Sequence, residues 1–219
     1  MTAWRPPHLD TKPLLRGVSH QWGAVAFALL GLVLVASTPA SGRPSVLVYV
    51  VCITTMLGTS ALYHRVPWGD VASARMRKAD HTGIFLAIAG TYTPIALIAL
   101  GGWVQWVLIV PIWTLAVAGI TLEWLPFRPP RGYVTAVYIT MGWIAVIALP
   151  AIWNDLGPTG FALLVGGGLL YTVGAFVHAF QWPDPWPRVF GFHEIWHMFV
   201  LAAAALHFAC IAFVVVPLA

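Results

Sequence analysis

Charge is what this chain has least of: Asp, Glu, Lys and Arg together make up 8% of its 219 residues, against 60% for the hydrophobic types. A soluble domain carries about 25% charged residues, so with a mean hydropathy of +0.84 the sequence is excluded from the soluble class and belongs in lipid. Cysteine is scarce as well. Cys52 and Cys210 fall inside apolar runs without Cys-x-x-Cys spacing, which excludes a disulfide framework and leaves two small buried hydrophobes. Also lacking is a basic stripe interleaved with aromatics. The net charge of +4 comes from cations scattered through short loops, which argues against nucleic acid as a partner. Met1 to Gly17 shows none of the basic, apolar and small-residue order of a cleavable signal peptide, so the first apolar helix is expected to stay in the mature protein. No internal repeat supports an inverted-repeat transporter.

What is present is a series of apolar runs, near 18–37, 45–64, 80–100, 103–123, 133–152, 158–180 and 195–217. Each is long enough to cross a ~30 Å hydrocarbon core as a helix at ~1.5 Å per residue. Helices satisfy every backbone group inside that core, and the alternation of a closed barrel is missing. The spacers carry turn and charge signals: Thr38 to Gly42, Arg65 to Lys78, Gly101-Gly102, Phe127 to Arg131, Asn154 to Gly157, and Trp182 to Pro187. The expected architecture is all-α: a short N-terminal segment over 1–17, then one seven-helix transmembrane bundle over 18–219 in the cell membrane.

Lys and Arg set the orientation of such a bundle. Counted on alternate sides, Arg5, Lys12, Arg16, Arg65, Arg75, Arg77, Lys78, Arg128, Arg131 and Arg188 share one side, and of the eleven cations only Arg43 lies opposite. The positive-inside rule then predicts a cytoplasmic N-terminus and an outside C-terminus. Trp22, Trp103, Trp124, Trp153 and Trp182 fall near span ends, where an amphipathic indole suits the headgroup level.

Ionisable groups cost roughly 2.5–3.5 kcal/mol each at mid-helix on insertion scales, so their placement carries information. In this topology His20, His64, Asp80, His81, Glu123, His178, His193, Glu194 and His197 all fall at cytoplasmic span ends, whereas the outer ends carry only Asp155 and no histidine. Span ends are wetter than span centres, which accounts for any one of these residues more easily than for the set. His193 and His197 are four apart, so on a helix they differ in direction by about 40° and both imidazoles can reach one ion. His64 offers a third imidazole at the same depth, with Ser60 one turn before it. Three imidazoles with one position left for water form a catalytic rather than a structural zinc arrangement, and Asp80 is placed to accept a hydrogen bond from that water as general base. His207 lies ten positions beyond His197, about 15 Å further along the helix, too far for the same ion. His20 and His178 either orient the ligands or hydrogen-bond neighbouring helices.

Several elements together resemble the family of bacterial hemolysin III proteins and eukaryotic adiponectin and progestin receptors. They are Arg16-Gly17-Val18-Ser19-His20, Ser60-Ala61-Leu62-Tyr63-His64, Asp80-His81-Thr82-Gly83-Ile84-Phe85 with Gly90-Thr91-Tyr92-Thr93-Pro94, and His193-Glu194-Ile195-Trp196-His197-Met198-Phe199-Val200. The resemblance implies seven helices, a cytoplasmic N-terminus, zinc on His64, His193 and His197, and Asp80 in contact with the zinc-bound water. The short N-terminal segment is closer to the bacterial branch than to the receptors.

Four functions follow as expectations. The first is a zinc-dependent hydrolase of a lipid amide or ester entering sideways from the bilayer, ceramidase-like by resemblance, with Asp80 as base and Ser60 orienting the carbonyl or a ligand imidazole. The second is a non-enzymatic role in sensing or adjusting membrane lipids, with zinc as a clamp. A cytolysin ranks low, for want of an amphipathic pore-lining stretch. A membrane zinc protease is suggested by the His-Glu-x-x-His pattern at 193–197, in which Glu194 would be the base, but the Asp-Gly ligand motif expected downstream is missing.

Overall fold

A computed structural model describes residues 12–126 and 133–219. Arg5, Arg128, Arg131 and the break from Phe127 to Arg131 lie outside the described residues. The described chain is helical: α1 (Val18–Ser37), α2 (Arg43–Arg65), α3 (Asp70–Pro94) with a π turn over Ile95–Ala99, and α4 (Gly102–Trp124). Then come α5 (Tyr133–Trp143), a 3-10 segment (Ile144–Ala148), α6 (Leu149–Phe180) and α7 (Phe192–Cys210), which continues through a π turn over Ile211–Val215. Six stretches of the described residues are long and apolar enough to cross a membrane, from Val18–Ser37 to Phe192–Leu218. The protein is a polytopic helical membrane protein.

One of the six, Val134–Phe180, runs for 47 residues. It is interrupted at Gly157, whose φ of 65° and ψ of −176° leave the helical region just before Pro158, a backbone state open to glycine. Upstream, the 3-10 segment disturbs the helical ladder, and Tyr92 repairs it. Its hydroxyl donates to the Gly142 carbonyl at 2.8 Å and accepts from the Ala145 N–H at 2.9 Å, the kind of internal satisfaction that lipid demands.

The outward faces are apolar. Leu32, Val33, Val117 and Phe213 are all more than half exposed, and in lipid that exposure costs nothing. Helix association there depends on close packing and small residues rather than on water exclusion. Accordingly α2 packs chiefly on α1 and α3, and α7 on α6 and, less extensively, on α1. At Gly83 in α3, a Cβ would stand 2.9 Å from the Cα of Met56 in α2. This approach, one turn from Asp80 on one side and from Ser60 on the other, brings those two residues together. At Gly174 in α6 a Cβ would meet the Cβ of Phe199 in α7 at 2.7 Å, which seats α7 against α6.

α3 starts ten residues before the apolar run predicted from position 80. Asp70 to Lys78 form helix rather than loop: Ala74, Arg75, Met76, Arg77 and Lys78 are strong helix formers, and charge does not prevent a helix from projecting beyond the bilayer.

Candidate metal centre

α7 begins at a defined point because both of its first free N–H groups find carboxylates. The Glu194 carboxylate accepts from the Gly191 N–H at 2.7 Å, and Asp184 Oδ1 accepts from the Phe192 N–H at 3.1 Å. These caps satisfy donors that would otherwise be orphaned and fix His193 in the first helical turn. The i, i+4 relation then carries His197 onto the same face, with ring centroids 4.6 Å apart.

α2 delivers His64 to that face from its C-terminal turn. The ligand-capable nitrogens of His64, His193 and His197 all lie within 4.8 Å of one another, and Nε2 of His64 stands 3.1 Å from Nε2 of His193. Two nitrogens bound to one tetrahedral zinc at ~2.05 Å would be about 3.3 Å apart, so the pair is already near coordination spacing. His197 is fully buried, and neither of its ring nitrogens has a protein partner. A buried imidazole without a partner is costly, and a cation shared with its two neighbours would remove that cost. The donor set fits a borderline divalent metal such as zinc.

Asp80, on the first apolar turn of α3, is buried, and its Oδ2 is 4.0 Å from Nε2 of His64. The distance allows a water between them. Ser60, itself buried, sits against the Asp80 carboxylate.

The remaining polar residues of this end divide into other tasks. Glu194 does not face water: it is 2% exposed, caps α7 and forms an ion pair with Arg16. Both of its oxygens are thus engaged, by Arg16 and by the Gly191 N–H. His81 turns away from Asp80 and meets Glu123 of α4 at 3.1 Å. His178 packs edgewise on His193 at 5.4 Å and against Trp196 at 4.3 Å. His20 lies flat on His197. Among the described residues, neither ring nitrogen of His20 has a partner within ordinary hydrogen-bond geometry. His207 Nε2 meets the Leu164 carbonyl at 3.1 Å, a local helix-to-helix contact outside the cluster.

Four contacts of the N-terminal strap were not read from the sequence. The Leu14 and Leu15 N–H groups donate to the Arg188 and Val189 carbonyls at 3.0 and 3.1 Å. Arg16 pairs with Glu194. Gly17, with φ of 77°, lies so close to His64 that a Cβ would stand 2.7 Å from the His64 Cβ. Only the positive-φ glycine leaves a trace in sequence, and a single glycine is too common to interpret.

The family description Haemolysin-III related matches residues 9–208, and Hemolysin-3 of Bacillus cereus is 36% identical over 210 residues, covering 94% of this chain and 93% of that protein. The chain belongs to the haemolysin III family. Among haemolysin III relatives, the Hemolysin-3 homolog of Bacillus subtilis (strain 168) is 38% identical over 134 residues, 61% of this chain and 60% of its own length. More distantly, the Adiponectin receptor protein of Drosophila melanogaster is 26% identical over 221 residues, 87% of this chain and 48% of that one. As a haemolysin III protein with six stretches apolar enough to span a bilayer, the chain is a multi-pass protein of the cell membrane.

Proposed function

We propose that this haemolysin III protein is a zinc-dependent hydrolase of a lipid amide or ester, with zinc held by His64, His193 and His197 and Asp80 as the general base. The observation that carries the reading is the convergence of three imidazoles from α2 and α7 with a buried carboxylate from α3. Zinc in that position would acidify a water and polarise a carbonyl. Asp80 accepts a proton from the attacking water and returns it to the departing nitrogen or oxygen. Ser60 holds the Asp80 carboxylate in place, and the apolar faces of the helices admit the acyl chain from the side. A ceramide-like amide is the leading substrate class.

The topology belonging to this reading is seven crossings with a cytoplasmic N-terminus. At ~1.5 Å per residue a continuous helix of the length of Val134–Phe180 would reach about 70 Å, more than twice the hydrocarbon thickness, which favours two crossings divided at Gly157. An odd number also agrees with the placement of the chain ends: Leu14 pairs with Arg188 at the histidine end, whereas Ala219 packs near Gly42 at the other.

The test is turnover of a ceramide-like amide by purified, zinc-loaded protein beside His197→Ala with the fold retained. Zinc-dependent release of fatty acid, lost in the variant, is expected; zinc-loaded wild type that cleaves neither a lipid amide nor an ester would end the hydrolase reading.

One observation favours a second role. α2 and α7 find their main packing partners elsewhere, so an ion between them would act as a clamp joining the two halves of the bundle. In a lipid-sensing protein without hydrolytic activity, that clamp would be the whole function of the site.

A further inference from the structure

A ligating imidazole must hold its ring plane so that its lone pair points at the ion. Usually a hydrogen bond from the second ring nitrogen to a carboxylate or carbonyl does this. His197 has no such bond: both of its nitrogens are buried without a protein partner. His20, in the first turn of α1, is 2% exposed, and its ring lies on that of His197 with centroids 3.7 Å apart and planes 7° from parallel. One edge of His20 faces the His197 main chain, although neither of its nitrogens reaches hydrogen-bond geometry. The contact between the two residues is therefore made by ring faces.

Rotation of the His197 ring about its Cβ–Cγ bond would drive an edge into the face of His20. The surrounding chain prevents His20 from retreating. Three residues earlier, Gly17 is pressed on His64; three residues later, Gly23 lies where a Cβ would come within 2.5 Å of Leu201 in α7 and 3.6 Å of Leu57 in α2. α1 is thereby wedged against both ligand-bearing helices. We infer that His20 is a positioning residue, whose stacked ring sets the plane of His197 and so tunes the affinity of the three-histidine site. This rests on the metal reading above.

Metal affinity of the purified full chain, read by competition with a chromophoric chelator, tests it together with the visible absorption of the cobalt-loaded form. His20→Phe keeps a flat ring and is expected to bind within about threefold of wild type with an unchanged cobalt spectrum. His20→Leu fills the space without a flat face and is expected to bind about 10–100-fold more weakly, the usual cost of losing an orienting neighbour, with shifted cobalt bands. Should His20→Leu not purify folded, His20→Met carries the same expectation. Wild-type affinity in the Leu or Met variant would overturn the inference, as would a Phe variant as weak as Leu, which would assign the role to the nitrogens. Failure of the metal reading has a different signature: wild type that binds no metal, or His64→Ala that binds as wild type does.

Discussion

Arg16 and Glu194, 178 positions apart in the chain, form an ion pair that ties the segment before α1 to the first turn of α7. The guanidinium is 18% exposed and the carboxylate 3%, so the pair is largely withdrawn from water. It gives the glutamate of the His-Glu-x-x-His pattern a structural task, and the proposed hydrolysis assigns proton transfer to Asp80.

Glu194→Gln and Asp80→Asn should therefore separate stability from chemistry. Glu194→Gln leaves Arg16 without its counter-charge, at a cost of up to about 3–5 kcal/mol, and lowers the thermal midpoint while the folded fraction keeps its turnover. Asp80→Asn should keep the midpoint and the metal, and lose about 10²–10⁴-fold in turnover. The reverse pattern would restore Glu194 as the base.

Elemental analysis of single variants checks the ligand set. His64→Ala, His193→Ala and His197→Ala are each expected to lose bound zinc, because three imidazoles are the smallest set that closes the site. His207→Ala, which removes a hydrogen bond to the Leu164 carbonyl and a ring contact with Tyr171 outside the cluster, should retain it, and zinc loss there would contradict the site as described.

Zinc removal should loosen the bundle where α2 and α7 meet. At a free concentration a hundredfold above its dissociation constant, a ligand specific for the folded state adds about 2.7 kcal/mol. Thermal midpoints should rise with zinc in wild type and stay flat in His197→Ala. Amide exchange should slow on zinc addition at the C-terminal turn of α2 and the N-terminal turn of α7.

Gly17→Ala combines a left-handed backbone with a Cβ directed at His64. The conformational cost alone is roughly 1–2 kcal/mol, and the displaced His64 should weaken zinc binding as well. A variant with wild-type midpoint and affinity would show that the strap does not press on the site.

Crossing number is accessible to fusion reporters. A periplasm-dependent phosphatase should be active when fused after Ala219 and near Asp155, and inactive when fused near Arg188. Equal activity at Asp155 and Arg188 would rule out a break into two crossings at Gly157.

The membrane class, the helix positions and the histidine cluster were legible in the sequence for physical reasons. Scarce charge and long apolar runs are direct consequences of a lipid surrounding, and His193 and His197 advertise their shared face by the helical repeat. That Ser60, His64 and Asp80 face the same space followed from counting crossings, and the close approach at Gly83 and Met56 shows how it is achieved. The stack of His20 on His197 and the pair of Arg16 with Glu194 could not be read, since each joins the two ends of the chain and depends on the rotation of α1 about its own axis. Because a helix in lipid is apolar on its outer face as well as its inner one, the pattern of apolar residues says little about that rotation. The helical start of α3 at Asp70 was hidden for the opposite reason: a charged stretch resembles a loop when hydropathy alone is followed.

The hydrogen bonds from Leu14 and Leu15 to Arg188 and Val189 have a bearing on biosynthesis. The segment at Leu14 and Leu15 has to wait, undocked, until Arg188 and Val189 have been made. His64 and Asp80 likewise enter the bilayer long before His193 and His197 exist. Assembly of the histidine cluster is thus a late event in the life of each molecule, and any truncated product ending before α7 leaves the ribosome without two of its three imidazoles.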